Sequence, residues 1–275
     1  MTYLKENLDG IYSGSEIALL HRLIAEHVTG LSAAMLSVNK SKKLNSLQQQ
    51  KFKEIVGRLK KFEPVQYILG ETEFFGLPFQ VDKNVLIPRP ETEELVELVL
   101  NENRTERLSV LDIGTGSGAI AVALKKLRPS FTVKAWDISP EALAVARRNA
   151  QRHQTDLCFE QVDVLGEYPR EQQFDVIVSN PPYVTESEKA NMEQNVLAYE
   201  PHIALFVPDE QALLFYERIA EIASHILNPA GKLYFEINSA KGQEVFNLLK
   251  DKSFKNVEIF SDISGNRRIA RAERW

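Results

Sequence analysis

The sequence predicts an α/β protein: a sheet of seven strands, parallel except for a terminal antiparallel hairpin, preceded by a small helical N-terminal domain. Three observations carry this. From Leu108 onward, short apolar runs alternate with helical segments, the pattern of a parallel sheet covered on both faces. The last two runs are separated only by Ser261-Asp-Ile-Ser-Gly-Asn266, which has no room for a crossover helix, so they pair antiparallel. Before Glu63 the apolar residues recur at helical spacing instead.

In chain order, Ser13-Gly-Ser-Glu16 fits a capping box, and Ile17, Leu20, Ile24 and Val28 form an apolar stripe that Gly30 ends. A second helix is predicted from Ser46 to Lys60, with Phe52, Ile55, Val56 and Leu59 on its apolar side. Glu73 to Asp82 is aromatic and interrupted by Gly76 and Pro78, which reads as strand–turn–strand. Pro88 and Pro90 stiffen the approach to a helix whose first turn holds Glu91, Glu93 and Glu94, where the helix dipole favours anions. Strands are then expected at Leu108–Ile113, Phe131–Trp136, Leu157–Val162, Phe174–Ser179, Lys232–Ile237, Val257–Phe260 and Arg267–Arg271. Helices are expected at Ala119–Leu127, Pro140–Ala150, Gln211–Leu227 and Lys241–Leu249.

Composition narrows the function. A formal net charge of -5 argues against a protein that coats nucleic acid. The charge is uneven: Lys40 to Lys61 holds eight basic residues and one acid, Glu54, either a solvated helix face or a contact for phosphates or an acidic partner. The single cysteine, Cys158, precludes an intrachain disulfide, suits a reducing cytoplasm and is expected to be a buried small hydrophobe. No signal peptide or membrane-length apolar run is evident, so a cytoplasmic location is expected. The five histidines are scattered without ligand spacing, so no metal is expected.

Two segments carry chemistry. Asp112-Ile-Gly-Thr-Gly-Ser-Gly118 joins the first strand of the alternating region to its helix. Gly114, Gly116 and Gly118 let the chain turn sharply and let a ligand approach the backbone, with Thr115 and Ser117 between them. Asp137 ends the next strand, where an acid can bind both ribose hydroxyls or cap the helix at Pro140. Asp163 ends the third, where it can accept from an adenine amino group or cap its own loop. The second segment, Phe174 to Tyr183, runs a buried strand into Asn180-Pro181-Pro182-Tyr183. The Asn180 side-chain oxygen and the Pro181 carbonyl are two rigidly linked acceptors, matched to the two hydrogens of an NH₂ group, and Tyr183 offers a flat face for stacking. Acceptors on both N–H bonds enrich a delocalised nitrogen in electron density and orient it toward a methyl donor.

At these residues the chain resembles class I S-adenosylmethionine-dependent methyltransferases, whose Rossmann-like seven-stranded sheet ends in such a hairpin. Pro64-Val-Gln-Tyr-Ile-Leu-Gly70, Phe74-Phe-Gly76, Leu86-Ile-Pro-Arg-Pro-Glu-Thr-Glu93 and Glu200-Pro201 ahead of Ala204-Leu205 extend the resemblance to the PrmC/HemK family of bacterial release factor glutamine methyltransferases. The resemblance implies methylation of the side-chain amide nitrogen of the glutamine in the Gly-Gly-Gln motif of peptide-chain release factors. S-adenosyl-L-methionine would be the donor and S-adenosylhomocysteine the product. It implies donor contacts from Gly114 through Gly118, Asp137, Asp163, Val164 and Asn180, and a grip on the substrate glutamine from Asn180, Pro181, Pro182 and Tyr183. Val164 stands where some relatives carry a bulky aromatic that packs on adenine, so its packing role is smaller. The implied division is a helical substrate-recognition domain (1–70), a β-hairpin connector (71–87) and a donor-binding catalytic domain (88–275). Release factors are the implied partners, with neither a membrane nor direct nucleic-acid binding expected.

Two other readings stay open at this level. Asn-Pro-Pro-Tyr is shared by nucleic-acid N-methyltransferases acting on adenine N6, cytosine N4 or ribosomal RNA guanine N2, and the basic stretch favours them. A nicotinamide- or flavin-dependent oxidoreductase would use the glycine loop but leaves Asn180 to Tyr183 without a role.

Overall fold

The computed structural model describes residues 2–38, 43–104 and 107–275. They form two compact units, Met1–Glu71 with Glu193–Tyr199, and Thr72–Met192 with Glu200–Trp275.

The first unit is helical: α1 (Thr2–Leu8), α2 (Gly14–Thr29), α3 (Ala33–Val38), α4 (Ser46–Leu59) and α5 (Val65–Leu69). At the start of α2 the Ser13 hydroxyl accepts from the Glu16 N–H while the Glu16 carboxylate accepts from the Ser13 N–H, the reciprocal cap expected from the sequence. Gly30 ends this helix at φ +69°. Asn45 and Gln48 form a second reciprocal cap on α4. Ile17, Leu20 and Ile24 meet Ile55, Val56 and Leu59 in one core, joined by Leu4 and Leu8 of α1. Helix α1 was not anticipated, because its only two core residues, one turn apart, are too few to establish a stripe. Lys43, Lys51, Lys53, Arg58, Lys60 and Lys61 are all exposed. Lys40 and Lys42 of the basic stretch lie outside the described residues.

The second unit opens on a hairpin of β1 (Glu71–Phe74) and β2 (Leu77–Gln80), followed by α6 (Pro90–Glu102). The alternating region follows as β3 (Ser109–Ile113), α7 (Ala119–Leu127), β4 (Thr132–Asp137), α8 (Pro140–His153), β5 (Cys158–Gln161) and β6 (Phe174–Ser179). Between β6 and the next long helix come β7 (Val184–Thr185), α9 (Gln194–Tyr199, which clusters with the first unit) and β8 (Phe206–Val207). The chain closes with α10 (Leu214–Ile226), β9 (Leu227–Glu236), α11 (Gly242–Asp251), β10 (Lys255–Ser261) and β11 (Arg267–Glu273).

Seven strands form one sheet in the order β10-β11-β9-β6-β3-β4-β5. The pairs from β9 through β5 are parallel, and β11 pairs antiparallel with both β9 and β10. The strand period of two divides the core between the faces. Leu111, Ile113, Ile177, Leu233 and Phe235 pack with residues of α10 and α11 on one side. Val110, Val176, Val178 and Tyr234 pack with residues of α6 and α7 on the other.

One expectation is overturned. Cys158 is exposed rather than buried, with its Sγ 3.7 Å from Glu160 Oε1. It lies on β5, the edge of the sheet, where only the β4 side is covered; the apolar-polar run around it does not reveal an edge position. The stretch between Val184 and Gln211 carries no secondary-structure signal in the sequence because its elements are too short to show a period. No helix among the described residues is long and apolar enough to cross a membrane.

Candidate active site

The chain passes from β3 to β4 on one side, while β6 lies on the other side of β3. Connections leaving in opposite directions open a crevice beyond the carboxyl ends of β3 and β6. The glycine loop leaves β3 and the Asn180 loop leaves β6, so topology brings the two singled-out segments to one place. The Ser179 hydroxyl, donating to the Ile113 carbonyl at 2.7 Å, ties the strand ends together.

The glycine loop is held by backbone geometry. Gly114 and Thr115 donate their N–H groups to the Trp136 carbonyl at 2.9 and 3.0 Å. Gly116 donates to Asp137 Oδ2 at 2.8 Å, and Ser139 donates to Asp137 Oδ1 at 2.9 Å. The helix cap at α8 belongs to Ser139, whose hydroxyl accepts from Ala142 at 3.0 Å, not to Asp137. Burial holds the Asp137 carboxyl above its ordinary pKa, opposed by the N–H groups of Ser139 and Gly116. Gly118 sits at φ +80°, and a Cβ there would lie 3.1 Å from Ala146 Cβ. It therefore lets α7 close on α8.

A cavity of about 290 Å³ fills the crevice, near the lower end for small-molecule sites. Gly114, Thr115, Gly116, Ser117, Asp137, Asp163, Val164, Asn180, Pro181 and Pro182 all line it. Gly118 and Tyr183 do not: Gly118 is packed against α8, and Tyr183 packs into the core on the α10 side. Asp163 Oδ1 accepts from the Leu165 N–H at 2.9 Å, so it also caps its own loop. Val164 is half-buried against the same core, and Ile138, Ile203 and Phe215 add apolar wall.

The Asn180 loop is held by distant side chains. Asn180 Nδ2 donates to Thr92 Oγ1 at 3.2 Å, and Thr92 Oγ1 donates to Glu236 Oε2 at 2.6 Å. The Tyr183 hydroxyl donates to Glu236 Oε1 at 3.0 Å, and Asn238 Nδ2 donates to the Tyr183 carbonyl at 3.3 Å. Glu236 is 1% exposed. Burial raises its pKa above the usual carboxylate range, opposed by Thr92, Tyr183 and the charge of Arg268. Burial and the neighbouring Glu236 likewise push the Tyr183 hydroxyl up. Arg89 pairs with buried Glu200 at 2.5 Å, and Glu200 also accepts from the Ile87 N–H at 3.2 Å, which anchors the proline-rich segment before α6. Asp112, fully buried, accepts from the Thr115 hydroxyl at 2.6 Å. Among the described residues its Oδ1 has no hydrogen-bond partner, and burial pushes its pKa up to about 7.

Sequence reasoning did not assign roles to Thr92, Glu236 or Asp112. Thr92 lies inside the Leu86 to Glu93 motif. Glu236 had a usable signal: an acid at the carboxyl end of an otherwise apolar central strand. Phe215 and Ile203 had none.

Residues 2–70 match the family model of the PrmC N-terminal domain, and residues 91–202 match that of the methyltransferase small domain. The release factor glutamine methyltransferase of Bacteroides thetaiotaomicron is 46% identical over 273 residues, covering 99% of this chain and 98% of that one. The protein of the same name from Flavobacterium psychrophilum is 45% identical over 272 residues, covering 98% and 95%. The crystal structure of a methyltransferase from Pyrococcus furiosus superposes with a TM-score of 0.55, covering 84% of this chain and 99% of that one; at 19% identity this likeness speaks to the fold alone. With near-complete coverage at such identity, and with a methyltransferase sheet whose two singled-out loops meet at its switch point, the chain belongs to the release factor glutamine methyltransferase family.

Proposed function

We propose that this protein transfers a methyl group from S-adenosyl-L-methionine to the side-chain amide nitrogen (N5) of the glutamine in the Gly-Gly-Gln motif of peptide-chain release factors, leaving S-adenosylhomocysteine and releasing one proton from the nitrogen. The observation that carries the reading is the polarity of Asn180. Its Nδ2 is occupied by Thr92, so its Oδ1 is the atom left to accept an incoming N–H at the cavity. Pro181 lines the same cavity, and its carbonyl is the second acceptor in this reading. Together they orient an amide nitrogen whose lone pair is otherwise delocalised. The names and lengthwise identity of the relatives support a release factor as the substrate.

The residues also fit the donor. Gly116 faces open space where a Cβ would stand. Asp137 offers a carboxylate on the cavity wall for ribose hydroxyls, and Ile138, Val162 and Val164 offer apolar surface to a flat base. When bound, S-adenosylmethionine supplies a methyl group made electrophilic by its sulfonium. Gly114 to Ser117 and Asp137 bind and position it, with Asp163 at the base end and Gly118 shaping the turn from behind, and Asn180, Pro181 and Pro182 hold the acceptor amide. Tyr183 supports that loop from its core side. Residues 1–70 then serve substrate recognition, 71–87 the connection and 88–275 catalysis. The exposed lysines of α4 are suited to an acidic partner.

The test is incubation with labelled S-adenosylmethionine and, in separate arms, release factor, DNA and ribosomal RNA, with mass spectrometry of the protein product. One added methyl on the glutamine of the Gly-Gly-Gln peptide is the expected result. Transfer to either nucleic acid with none to release factor overturns it.

A further inference from the structure

We infer that Glu236 and Thr92 form a one-way hydrogen-bond relay that fixes which end of the Asn180 side chain faces the cavity, making both of them positioning residues for methyl transfer. The inference rests on the proposed role of Asn180 as the acceptor of the substrate N–H.

An ionised carboxylate can only accept hydrogen bonds. Two hydroxyls meet Glu236, Thr92 at 2.6 Å on Oε2 and Tyr183 at 3.0 Å on Oε1. Each hydroxyl has a single proton, and each directs it at Glu236. Thr92 is thereby left with lone pairs alone for its other neighbour. The Asn180 atom 3.2 Å away must then be the donor, Nδ2, and Oδ1 turns the other way. Without that polarity, the two orientations of the Asn180 amide differ little in shape and much in chemistry. One presents an acceptor to a substrate N–H; the other presents a second donor and repels it.

A carboxylate at position 236 is the side chain that resolves this. A glutamine would offer one acceptor and one donor, so one of the two hydroxyls would have to reverse its proton. If that hydroxyl were Thr92, its proton would point at Asn180 and favour the unproductive orientation. Burying a charge is costly, and here the residue is 1% exposed. At the end of β9 the Glu236 carboxylate accepts from two converging hydroxyls at once. The partners come from three separate parts of the chain: Glu236 lies 144 positions after Thr92, and Asn180 lies 88 positions after it. The relay exists only in the folded protein.

Protonation of Glu236 would introduce the same ambiguity as a glutamine. Burial already raises its pKa, so this should appear as an acid limb in the rate. The charged and titratable groups facing it are Tyr183, Arg268 of β11, Glu91 of α6 and Tyr216 of α10.

The experiment measures kcat, KM for release factor, donor affinity and melting temperature for Thr92→Val, Thr92→Ser, Glu236→Gln and Asn180→Ala beside the unaltered protein. Thr92→Val and Glu236→Gln should lower kcat by about ten- to a hundredfold, the scale of a misoriented group, with donor affinity within about threefold. Thr92→Ser keeps the hydroxyl and should restore kcat to within about threefold. The acid limb of the kcat profile should flatten in Glu236→Gln. If valine and serine at position 92 behave alike, or if Glu236→Gln keeps full kcat, the relay is wrong even though Asn180→Ala is inactive. Full turnover by Asn180→Ala instead overturns the underlying reading of the loop, and the relay with it. The near-isosteric Thr92 pair keeps the test decisive if Glu236→Gln fails to fold.

Discussion

The two loops at the switch point are held in opposite ways. The glycine loop is fixed by its own backbone: N–H groups on the Trp136 carbonyl and on Asp137, and a glycine at φ +80° against the next helix. All of these partners lie within one strand–helix–strand–helix unit. The Asn180 loop is fixed by side chains from α6 and from the region where β9 ends, reached across 88 residues in one direction and more than fifty in the other. Each way of holding a loop suits a different task. A site for a constant ligand can be built from local turn geometry, whereas a site that must present one acceptor atom in one orientation needs buried polar partners brought in by the fold.

Replacing Asn180 should separate the two loops most sharply. Asn180→Ala is expected to cut turnover by at least about a hundredfold, in the range of losing an oriented stabilising group. Donor binding should stay within about tenfold, roughly 1.4 kcal/mol. Steady-state kinetics with donor titration checks it. A collapse of donor binding with little change at saturation would make the Asn180 loop a donor grip like the glycine loop.

Gly118→Ala tests the backbone side. The positive φ and the 3.1 Å approach to Ala146 Cβ should cost about 1–3 kcal/mol of stability. Thermal denaturation should show a lower melting temperature, with donor affinity falling as the loop shifts. An unchanged melting temperature would mean that α7 and α8 have room to spare.

Asp137→Ala should act on binding. The ribose contacts proposed for it are alike in ground and transition states, so their loss removes uniform binding. Donor affinity should fall by about tenfold, roughly 1.4 kcal/mol, while turnover at saturating donor changes less. Unchanged affinity would confine Asp137 to bracing Gly116.

The smallest effect is expected beneath the glycine loop, at Asp112. Its folded pKa is raised to about 7 from an ordinary 3.8. Stability from the neutral form is therefore fully present below the ordinary value and is lost as pH rises through about 7. Asp112→Asn retains an acceptor for Thr115 and removes the charge. It should stabilise the protein by on the order of 1 kcal/mol above neutral pH, with the gain shrinking as pH falls below about 7 and vanishing toward about pH 4. Melting temperatures of both proteins across that range check the sign; a gain that grows toward acid pH would reverse it.

By itself, the sequence determined what depends on neighbours along the chain. Strand–helix alternation specified the parallel sheet, and the short Ser261 to Asn266 link specified the hairpin. Ser13 with Glu16 specified a helix start, and Gly114 to Gly118 specified a tight turn, because each is a matter of local hydrogen bonding or backbone freedom. The Asn180-Pro181-Pro182-Tyr183 segment stood out for a related reason: its polar and rigid groups are adjacent in the chain. Only the tertiary structure decided that Cys158 lies on a sheet edge, that Tyr183 turns into the core, and that Thr92 and Glu236 converge on Asn180. Burial and hydrogen-bond partnership are set by which strands become neighbours. A buried acid finds its donors across the sheet, and no periodicity in the chain records the distance it spans.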